Sequence, residues 1–298
     1  MIHYQTEREK KRFWIGEKEF LPEYELKTES VFAQCNGYMG VRAAHPFSLI
    51  EEQRGMFLSG AFNKAYEGEV TELVNCPDVT WFGLEIDGEK IYPERSCLKS
   101  FERKLDIFSG ELVIHYVFDL GEKGEVLVEN RRFASMAQTN LFAQSLRVQF
   151  LDGRNRQVKI KTGINGQMTN SGVSHFHTST ARVYDKEIME IRSELKNSTV
   201  TEAVGCKVVC GVQEEKEFNL KRRGVYGTYA VTPEDKEVIF EKVTFADQGE
   251  DGITTEERKL ALLAALNKGY DVLLEEHQAK MKEFWDVTRV HVDGMSEA

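Results

Sequence analysis

The sequence contains no apolar stretch long enough to cross a membrane. Its longest uninterrupted apolar run covers residues 260–266, whereas a membrane-spanning helix needs roughly 20 such residues. The first segment, residues 1–14, is crowded with charges and lacks the apolar core of a signal peptide. We therefore expect a cytoplasmic protein that makes no contact with a membrane.

Positive charge is also in short supply. Lys and Arg number 39 against 49 Asp and Glu, which gives a formal net charge of −10 at pH 7. Nucleic acids and anionic lipid surfaces attract proteins through basic residues, so this deficit argues against either as the main partner. The charge balance is compatible with a protein that handles neutral small molecules.

Cysteines are few and scattered. None belongs to a Cys-x-x-Cys pair, and none lies near clustered histidines at the spacing of a zinc site. We therefore expect reduced, packed thiols and no metal ion. The five cysteines are Cys35, Cys76, Cys97, Cys206 and Cys210.

Familiar catalytic motifs are missing as well. Leu58-Ser59-Gly60 lacks the preceding glycine of a nucleophile elbow, and the Gly-rich segment 36–40 lacks the Gly-Lys-Ser/Thr ending of a phosphate-binding loop. His175 and His177 would share a strand face, but no third metal ligand or general base accompanies them. No pair of carboxylates is marked by its context as a glycosidase pair. The residues alone therefore nominate no catalytic group and no cofactor.

What the sequence has in abundance, from about residue 31 to residue 245, is an alternation with period two. In the segment 146–150, for example, apolar residues alternate with arginine and glutamine, which is typical of a strand with one face on a core and one in water. Asp87-Gly88 and Asp152-Gly153 each predict a tight hairpin turn. The segment 112–118 is apolar at both parities and predicts a strand buried on both faces. The pattern predicts a mainly β fold of stacked antiparallel sheets.

The end of the chain has the period of helices instead. Thr254 and Glu257 have the spacing of a capping box, Gly269 predicts the end of a first helix, and Asp271 predicts the cap of a second. The second helix carries one stripe of residues, namely Leu274, His277, Met281, Phe284 and Trp285. We therefore expect a β domain at residues 1–250 and a helical linker at residues 251–298.

The densest motif is Asn36-Gly37-Tyr38-Met39-Gly40-Val41-Arg42. Its two glycines permit a turn or bulge and a close approach of the backbone, while Asn36 and Arg42 offer hydrogen-bond donors and Tyr38 offers a flat face. A corner that contacts a ligand fits this pattern. A structural corner between strands, with Arg42 bridging to a carboxylate, fits it equally.

Taken together and in order, several motifs resemble glycoside hydrolase family 65, which contains the maltose, trehalose, kojibiose and nigerose phosphorylases. The tail around His277 and Phe284-Trp285 resembles the helical linker of that family. The motifs that precede it are Glu29-Ser30-Val31-Phe32-Ala33, the segment 36–42, Arg54-Gly55-Met56-Phe57-Leu58-Ser59-Gly60, Glu72-Leu73-Val74-Asn75-Cys76-Pro77, Arg132-Phe133-Ala134-Ser135-Met136-Ala137 and Asn165-Gly166-Gln167-Met168-Thr169-Asn170-Ser171-Gly172 with His175.

The resemblance implies an antiparallel β-supersandwich like that of galactose mutarotase, followed by linker helices. In the family an (α/α)6 barrel comes next and carries the general acid and the phosphate site. No catalytic residue of the family has a matching position in this sequence. We therefore expect a non-catalytic N-terminal domain of an enzyme acting on α-glucosidic disaccharides, in which inorganic phosphate is the co-substrate, no cofactor is used and β-glucose 1-phosphate is formed with inversion.

The resemblance also implies the partners of the domain. They are the protein's own C-terminal barrel, the disaccharide substrate of the whole enzyme and a second copy in a homodimer. We expect the residues nearest the junction with the barrel, or at the rim of its pocket, to be Asn36, Gly37, Tyr38, Gly40, Arg42, Asn165, Gly166, Asn170 and His175.

Two other functions stay open at this point. A self-standing carbohydrate-binding sandwich would stack sugar rings on exposed aromatic side chains such as Trp14, Trp81 or Tyr38. A mutarotase-like epimerase would use the His175 and His177 pair with a general base on the other side of one cleft.

Overall fold

A computed structural model of the chain describes residues 3–7, 12–47, 53–64, 66–93, 97–212, 214–249 and 254–289. Within these ranges ten antiparallel strands form a large sheet, and five form a second sheet. The large sheet consists, in spatial order, of β1 (His3–Glu7), β2 (Arg12–Glu17), β10 (Leu98–Asp106), β11 (Leu112–Asp119), β12 (Glu125–Ala134), β13 (Leu141–Phe150), β20 (Glu237–Gly249), β17 (Thr201–Cys210), β16 (Ile188–Leu195) and β15 (Phe176–Tyr184). The second sheet consists of β18 (Glu215–Lys221), β19 (Gly224–Val231), β14 (Val158–Asn165), β8 (Phe82–Ile86) and β9 (Glu89–Ile91).

The described part of the chain also contains short strands, three α-helices and two 3-10 helices, at Pro22–Tyr24 and Gly121–Lys123. The short strands are β3 (Gln34–Cys35), β4 (Met39–Val41), β5 (Met56–Leu58), β6 (Phe62–Asn63) and β7 (Glu72–Leu73). The helices are α1 (Glu25–Val31), α2 (Thr255–Lys268) and α3 (Tyr270–Thr288). None of the helices in the described ranges is long and apolar enough to cross a bilayer.

The main core lies between the two large sheets. The inward residues of β11 and β12, such as Ile114 and Val128, are fully buried against inward residues of the second sheet, such as Leu84 and Ile160. Burial of apolar surface on this scale is the main force that holds the layers together. The expected antiparallel β-supersandwich with C-terminal helices is therefore confirmed.

The two C-terminal helices cover the outer face of the large sheet. Phe133 and Phe245, which point away from the main core, pack with Leu262, Tyr270 and Leu274 in a second apolar cluster. This packing explains why β13 and β20 are buried on both faces along part of their length. The predicted boundary between residues 250 and 251 lies outside the described residues.

The ends of these helices follow the expected pattern with one exception. Thr254 and Glu257 form the predicted capping box, and Gly269, with φ of +78°, ends α2. Asp271 does not cap α3, because Gly269 is its N-cap residue. The Asp271 carboxylate instead accepts a hydrogen bond from Arg131 Nη1 at 2.9 Å, which ties α3 to β12.

The stripe on α3 faces the sheet as predicted, except at Phe284, which is 46% exposed. His277 stacks on Phe133 with ring centroids 4.8 Å apart, and its Nδ1 accepts the N–H of Met136 at 2.9 Å. Burial lowers the pKa of His277 to about 4. This histidine is therefore a neutral packing residue at pH 7.

Two strand predictions are wrong, and for the first of them the reason is topological. Asp152-Gly153 does not form a hairpin, because β13 already pairs with β12 and β20 while β14 belongs to the other sheet. Both residues of Asp87-Gly88 have positive φ, as a two-residue hairpin turn requires, whereas only Gly153 does in the other pair. The segment 112–118 alternates between buried and half-buried residues instead of being buried on both faces.

The cysteines are reduced as predicted, but not all of them are packed in the interior. None of the five, all of which lie in the described ranges, forms a disulfide, and Cys76 and Cys206 are fully buried. Cys35, however, is exposed on β3. The thiols of this sandwich are therefore not uniformly protected.

A buried lysine connects the two sheets. Lys242 on β20 is fully buried, and its Nζ donates to the carbonyls of Val79 (2.6 Å) and Gly163 (2.8 Å) and to Thr162 Oγ1 (2.9 Å). Burial lowers its pKa, but three acceptors satisfy the three hydrogens of the ammonium group. Lys242 therefore fixes the distance between β20 and β14.

Candidate functional site

The predicted corner at residues 36–42 is held by its own polar side chains. Asn36 Nδ2 donates to the carbonyls of Ser135 (2.7 Å) and Thr139 (2.8 Å), and Asn36 Oδ1 accepts the N–H groups of Tyr38 (3.0 Å) and Met39 (2.7 Å). All four hydrogen bonds that its amide can make are present. Asn36 therefore joins the turn between β3 and β4 to the loop after β12.

Arg42, at the other end of the corner, is used in the same way. Its guanidinium donates to the carbonyl of Gln53 (2.8 Å), to Ser30 Oγ (2.9 Å), to the carbonyl of Leu26 (3.1 Å) and to Glu29 Oε2 (3.1 Å). Three of these partners are on α1. The structural alternative, in which Arg42 bridges to a carboxylate, is thus the arrangement present.

The remaining residues of the corner have ordinary roles. Gly37 has a φ of +88°, which favours glycine, and a Cβ at Gly40 would meet no atom within 4 Å. Tyr38 is half-buried, and burial together with the carboxylate of Asp247 raises its pKa to about 12. Its hydroxyl therefore stays protonated at neutral pH.

The second predicted segment, residues 165–175, is joined to the segment before β8. Asn165 exchanges two backbone hydrogen bonds with Asp78, and Asn170 accepts the N–H of Asn75 (2.9 Å) and donates to the carbonyl of Leu73 (2.9 Å). A Cβ at Gly166 would lie 2.9 Å from the carbonyl oxygen of Arg223. Glycine is therefore required at this close approach.

The two histidines at the end of that segment do not form a pair. His175 is fully buried, and its Nε2 lies 3.0 Å from Glu72 Oε2. His177 is exposed on β15, where the pairing with β16 shifts register between Phe176 and Thr178. This irregularity separates the environments of the two imidazoles, which a strict period of two would have placed together.

An open groove of about 450 Å³ lies between these two segments. Of the predicted residues it brings together Arg42 and Asn170, and its one carboxylate is Glu72, which is bound to His175. The groove is lined by Arg42, Gln53, Arg54, Phe57, Glu72, Asn75 and residues 167–172. Asn36, Gly37, Tyr38, Gly40, Gly166 and His175 are not among the lining residues.

A smaller pocket of about 280 Å³ adjoins the groove at Arg54, and we call it the Trp81 pocket. It lies on the outer face of the second sheet, where Lys161 and Gly163 on β14 point away from the core. Of the predicted site residues it contains Asn165. Its lining residues are Arg54, Asp78, Trp81, Lys161, Gly163, Asn165, Lys221 and Tyr226.

Two buried charges form the inner wall of the Trp81 pocket. Asp78 Oδ1 accepts the N–H (2.9 Å) and the hydroxyl (2.7 Å) of Thr80. Arg54 Nη1 donates to Thr80 Oγ1 (2.8 Å), and Nη2 donates to the carbonyls of His45 (2.7 Å) and Phe47 (3.0 Å). The wall is therefore fixed before any ligand arrives.

The carboxylates that line the groove and the Trp81 pocket are Glu72 and Asp78, and each contacts a neighbouring side chain. A carboxyl group suited to hold a proton at neutral pH is that of Glu202, because burial raises its pKa to about 7. Glu202 is fully buried, and its Oε1 accepts a hydrogen bond from Cys76 Sγ at 3.1 Å. It lines neither the groove nor the Trp81 pocket. Among the described residues no cluster of three or more His, Cys, Asp or Glu could hold a metal ion.

Comparison with known proteins decides the family. Residues 15–284 match the family described as glycosyl hydrolase family 65, N-terminal domain. The chain belongs to this family. The resemblance carried by the ordered motifs is thereby confirmed, and so is the assignment to the N-terminal domain.

Curated relatives of the family match over nearly the whole of this chain. A kojibiose phosphorylase of Escherichia coli is 30% identical over 90% of this chain and 36% of its own length. A kojibiose phosphorylase of Halothermothrix orenii is 28% identical over 96% of this chain and 38% of its own length. The chain thus spans between a third and two fifths of these relatives.

A solved structure supports the fold of the domain. A protein from the human microbiome, provisionally assigned as a kojibiose phosphorylase, superposes with a TM-score of 0.82 at 16% identity. The match covers 95% of this chain and 39% of that protein. The sandwich and its two C-terminal helices are therefore the fold of this family's N-terminal domain.

Proposed function

We propose that this chain is the non-catalytic N-terminal domain of a phosphorylase that acts on α-glucosidic disaccharides. The relatives are kojibiose, nigerose and maltose phosphorylases. The observation that carries the proposal is the extent of the family match: residues 15–284 match the N-terminal domain of the family. The chain covers 36% of the Escherichia coli relative.

The proposed reaction of the whole enzyme needs only one carboxylic acid. The acid protonates the glycosidic oxygen as that C–O bond breaks, and phosphate attacks the anomeric carbon from the opposite face. The products are the released sugar and β-glucose 1-phosphate, with no cofactor. In this proposal the acid and the phosphate site belong to the family's helical barrel, and the sandwich supports that barrel and shapes the rim of its pocket.

Exposed apolar residues on the helices support a packing role toward that barrel. Leu260 on α2 is 67% exposed, and Val287 near the end of α3 is 86% exposed. Val272 and Phe284 on α3 are also exposed. A barrel packed against the helices would cover these apolar side chains. A cytoplasmic location and a homodimer of the whole enzyme belong to the same proposal.

The proposal is tested by assaying the chain directly. The chain is incubated with inorganic phosphate and either kojibiose, nigerose, maltose or trehalose, and glucose 1-phosphate is measured by a coupled enzyme assay. We expect no product from the chain alone. A chimera in which the chain replaces the matching N-terminal 36% of the Escherichia coli kojibiose phosphorylase serves as the positive arm and should release glucose 1-phosphate from kojibiose. Turnover by the isolated chain would contradict the proposal.

The carbohydrate-binding alternative gains support from one residue. Of Trp14, Trp81 and Tyr38, it is Trp81 that lines a described pocket. The epimerase alternative gains none, because His175 and His177 do not share a cleft. A binding role for the outer face of the second sheet is therefore the second candidate function.

A further inference from the structure

The Trp81 pocket is a preformed cavity with a floor of main chain. Its volume of about 280 Å³ is just below the roughly 300–1,000 Å³ range of sites for drug-sized molecules. A volume of this size suits a ligand as small as a monosaccharide. A Cβ at Gly163 would lie 2.0 Å from the carbonyl oxygen of Val225. Only glycine is tolerated there, so no side chain fills the floor.

Two aromatic rings form the side of the pocket. Trp81 and Tyr226 meet edge to face, with centroids 6.0 Å apart and an interplanar angle of 89°. Trp81 is placed by Gly83, where a Cβ would lie 3.2 Å from the indole carbon Cζ2. Both rings are half-buried, so each presents part of its aromatic surface to the pocket that both line. Aromatic surface of this kind suits the apolar C–H groups of a pyranose ring.

Two lysines at the pocket have no carboxylate partner among the described residues. Lys161 Nζ lies 5.5 Å from the centroid of the Tyr226 ring, and Lys221 is exposed at the end of β18. Lys159, two residues before Lys161 on the same strand face, is instead 3.9 Å from Glu85. In a chain of net charge −10, two uncompensated ammonium groups at one pocket favour an anionic ligand.

The inner wall supplies a hydrogen-bond acceptor. Asp78 is 2% exposed, and its Oδ2 has no hydrogen-bond donor. That oxygen is buried and lies 3.7 Å from Arg54 Nη1, so the carboxylate is balanced in charge and keeps one acceptor position unfilled. A sugar hydroxyl is a donor for such a position, whereas a bare phosphate placed against this carboxylate would be repelled.

We propose that the Trp81 pocket binds a hexose phosphate. The sugar ring packs on Trp81 and Tyr226, a hydroxyl donates to Asp78 Oδ2, and the phosphate binds the ammonium groups of Lys161 and Lys221. A neutral sugar would leave both lysines unused, and inorganic phosphate would leave the aromatic faces unused. The pocket alone carries this proposal, which does not depend on the proposed phosphorolysis.

Isothermal titration calorimetry on the whole chain tests the proposal without any turnover. The probes are glucose 1-phosphate, glucose and inorganic phosphate, each at low ionic strength and pH 7. We expect saturable binding of glucose 1-phosphate, with each of the other two weaker by about tenfold or more, since each makes only part of the contacts. No saturable binding of glucose 1-phosphate up to about 10 mM, a concentration well above millimolar dissociation constants, would overturn the proposal. Equal binding of glucose would overturn the role of the phosphate.

Matched lysine variants place the ligand. Lys161→Met should weaken binding of glucose 1-phosphate by about tenfold, because it removes a charge-assisted contact, while Lys159→Met on the same strand face should leave it unchanged. Trp81→Ala should weaken binding of both glucose 1-phosphate and glucose. Circular dichroism confirms that each variant is folded. Equal effects of Lys159→Met and Lys161→Met would show a nonspecific charge effect and would also overturn the proposal.

Discussion

The corner at residues 36–42 and the Trp81 pocket contrast in how their polar groups are used. In the corner, Asn36 makes four hydrogen bonds and Arg42 makes four, all within the chain. In the pocket, Asp78 Oδ2 has no donor and Lys161 has no carboxylate partner among the described residues. The corner is a contiguous motif whose polar groups stabilise the fold. The pocket is formed by residues far apart in the sequence, and some of its polar groups have hydrogen-bonding positions that the chain does not fill.

The contrast bears on how a binding site is found. A run of Asn, Gly, Tyr and Arg draws attention because these residues often contact ligands, but they also build turns and corners. What distinguishes a site is a buried or fixed polar atom that no neighbour satisfies. The following predictions separate the two regions by measuring stability and binding in the same variants.

The largest effect is expected in the corner. Asn36→Ala removes four hydrogen bonds and leaves two carbonyls and two N–H groups without that partner, so it should lower the free energy of unfolding by about 4 kcal/mol. Urea unfolding followed by circular dichroism measures this value. Asn165→Ala is the control, because the side chain of Asn165 accepts one hydrogen bond, from the N–H of Gln167. A loss below about 1 kcal/mol for Asn36→Ala would show that the corner is not needed for the fold.

A pH effect of intermediate size is expected at Glu202, whose charge acts on Tyr38 in the corner. Burial raises the pKa of Glu202 from 4.5 to about 7, so folding favours the protonated form. The stabilisation is complete below pH 4.5 and is lost as pH rises through about 7, a change of about 3 kcal/mol.

Glu202→Gln, which imitates the protonated acid, should remove this contribution to the pH dependence. Chemical unfolding at several values between pH 4.5 and 8.5 compares the variant with the parent chain. We expect the variant to become the more stable of the two at the alkaline end. Parallel pH profiles for both proteins would refute the assignment. Binding at the Trp81 pocket should not change with Glu202→Gln, since this carboxyl lies outside that pocket.

The smallest effect on stability is expected at the pocket. Lys161 is half-exposed and forms no ion pair with a described carboxylate, so Lys161→Met should change the free energy of unfolding by no more than about 0.5 kcal/mol. The same variant should lose binding of glucose 1-phosphate. Thermal unfolding and calorimetry on one sample report both quantities. A large loss of stability would show that Lys161, like the corner residues, is needed for the fold, and would contradict the proposed difference between the two regions.

Local signals predicted the elements of the fold well. The alternation at 146–150 gave a strand, Asp87-Gly88 gave a hairpin with two positive φ angles, and Thr254 with Glu257 gave the capping box. Each of these depends on residues close together in the chain. The ordered motifs added the family and with it the supersandwich.

Long-range pairing explains what local signals missed. Asp152-Gly153 has the composition of a hairpin turn, but the partner of each flanking strand is decided elsewhere in the sheet. The Trp81 pocket draws Asp78, Lys161 and Lys221 from separate segments. Their meeting depends on the register of β14 with β8 and β19. No spacing within the sequence encodes that arrangement.

Lys242 links the floor of the Trp81 pocket to the large sheet. The carbonyl of Gly163, under the pocket, is one of the three acceptors of the Lys242 ammonium group. The residue after Lys242 on β20, Val243, packs in the cluster below α2 and α3. Because Lys242 is fully buried, a shift of β14 would stretch charge-assisted bonds in a site of low dielectric constant. The floor of the pocket, both sheets and the helical face are thus joined through two consecutive residues of β20, Lys242 and Val243.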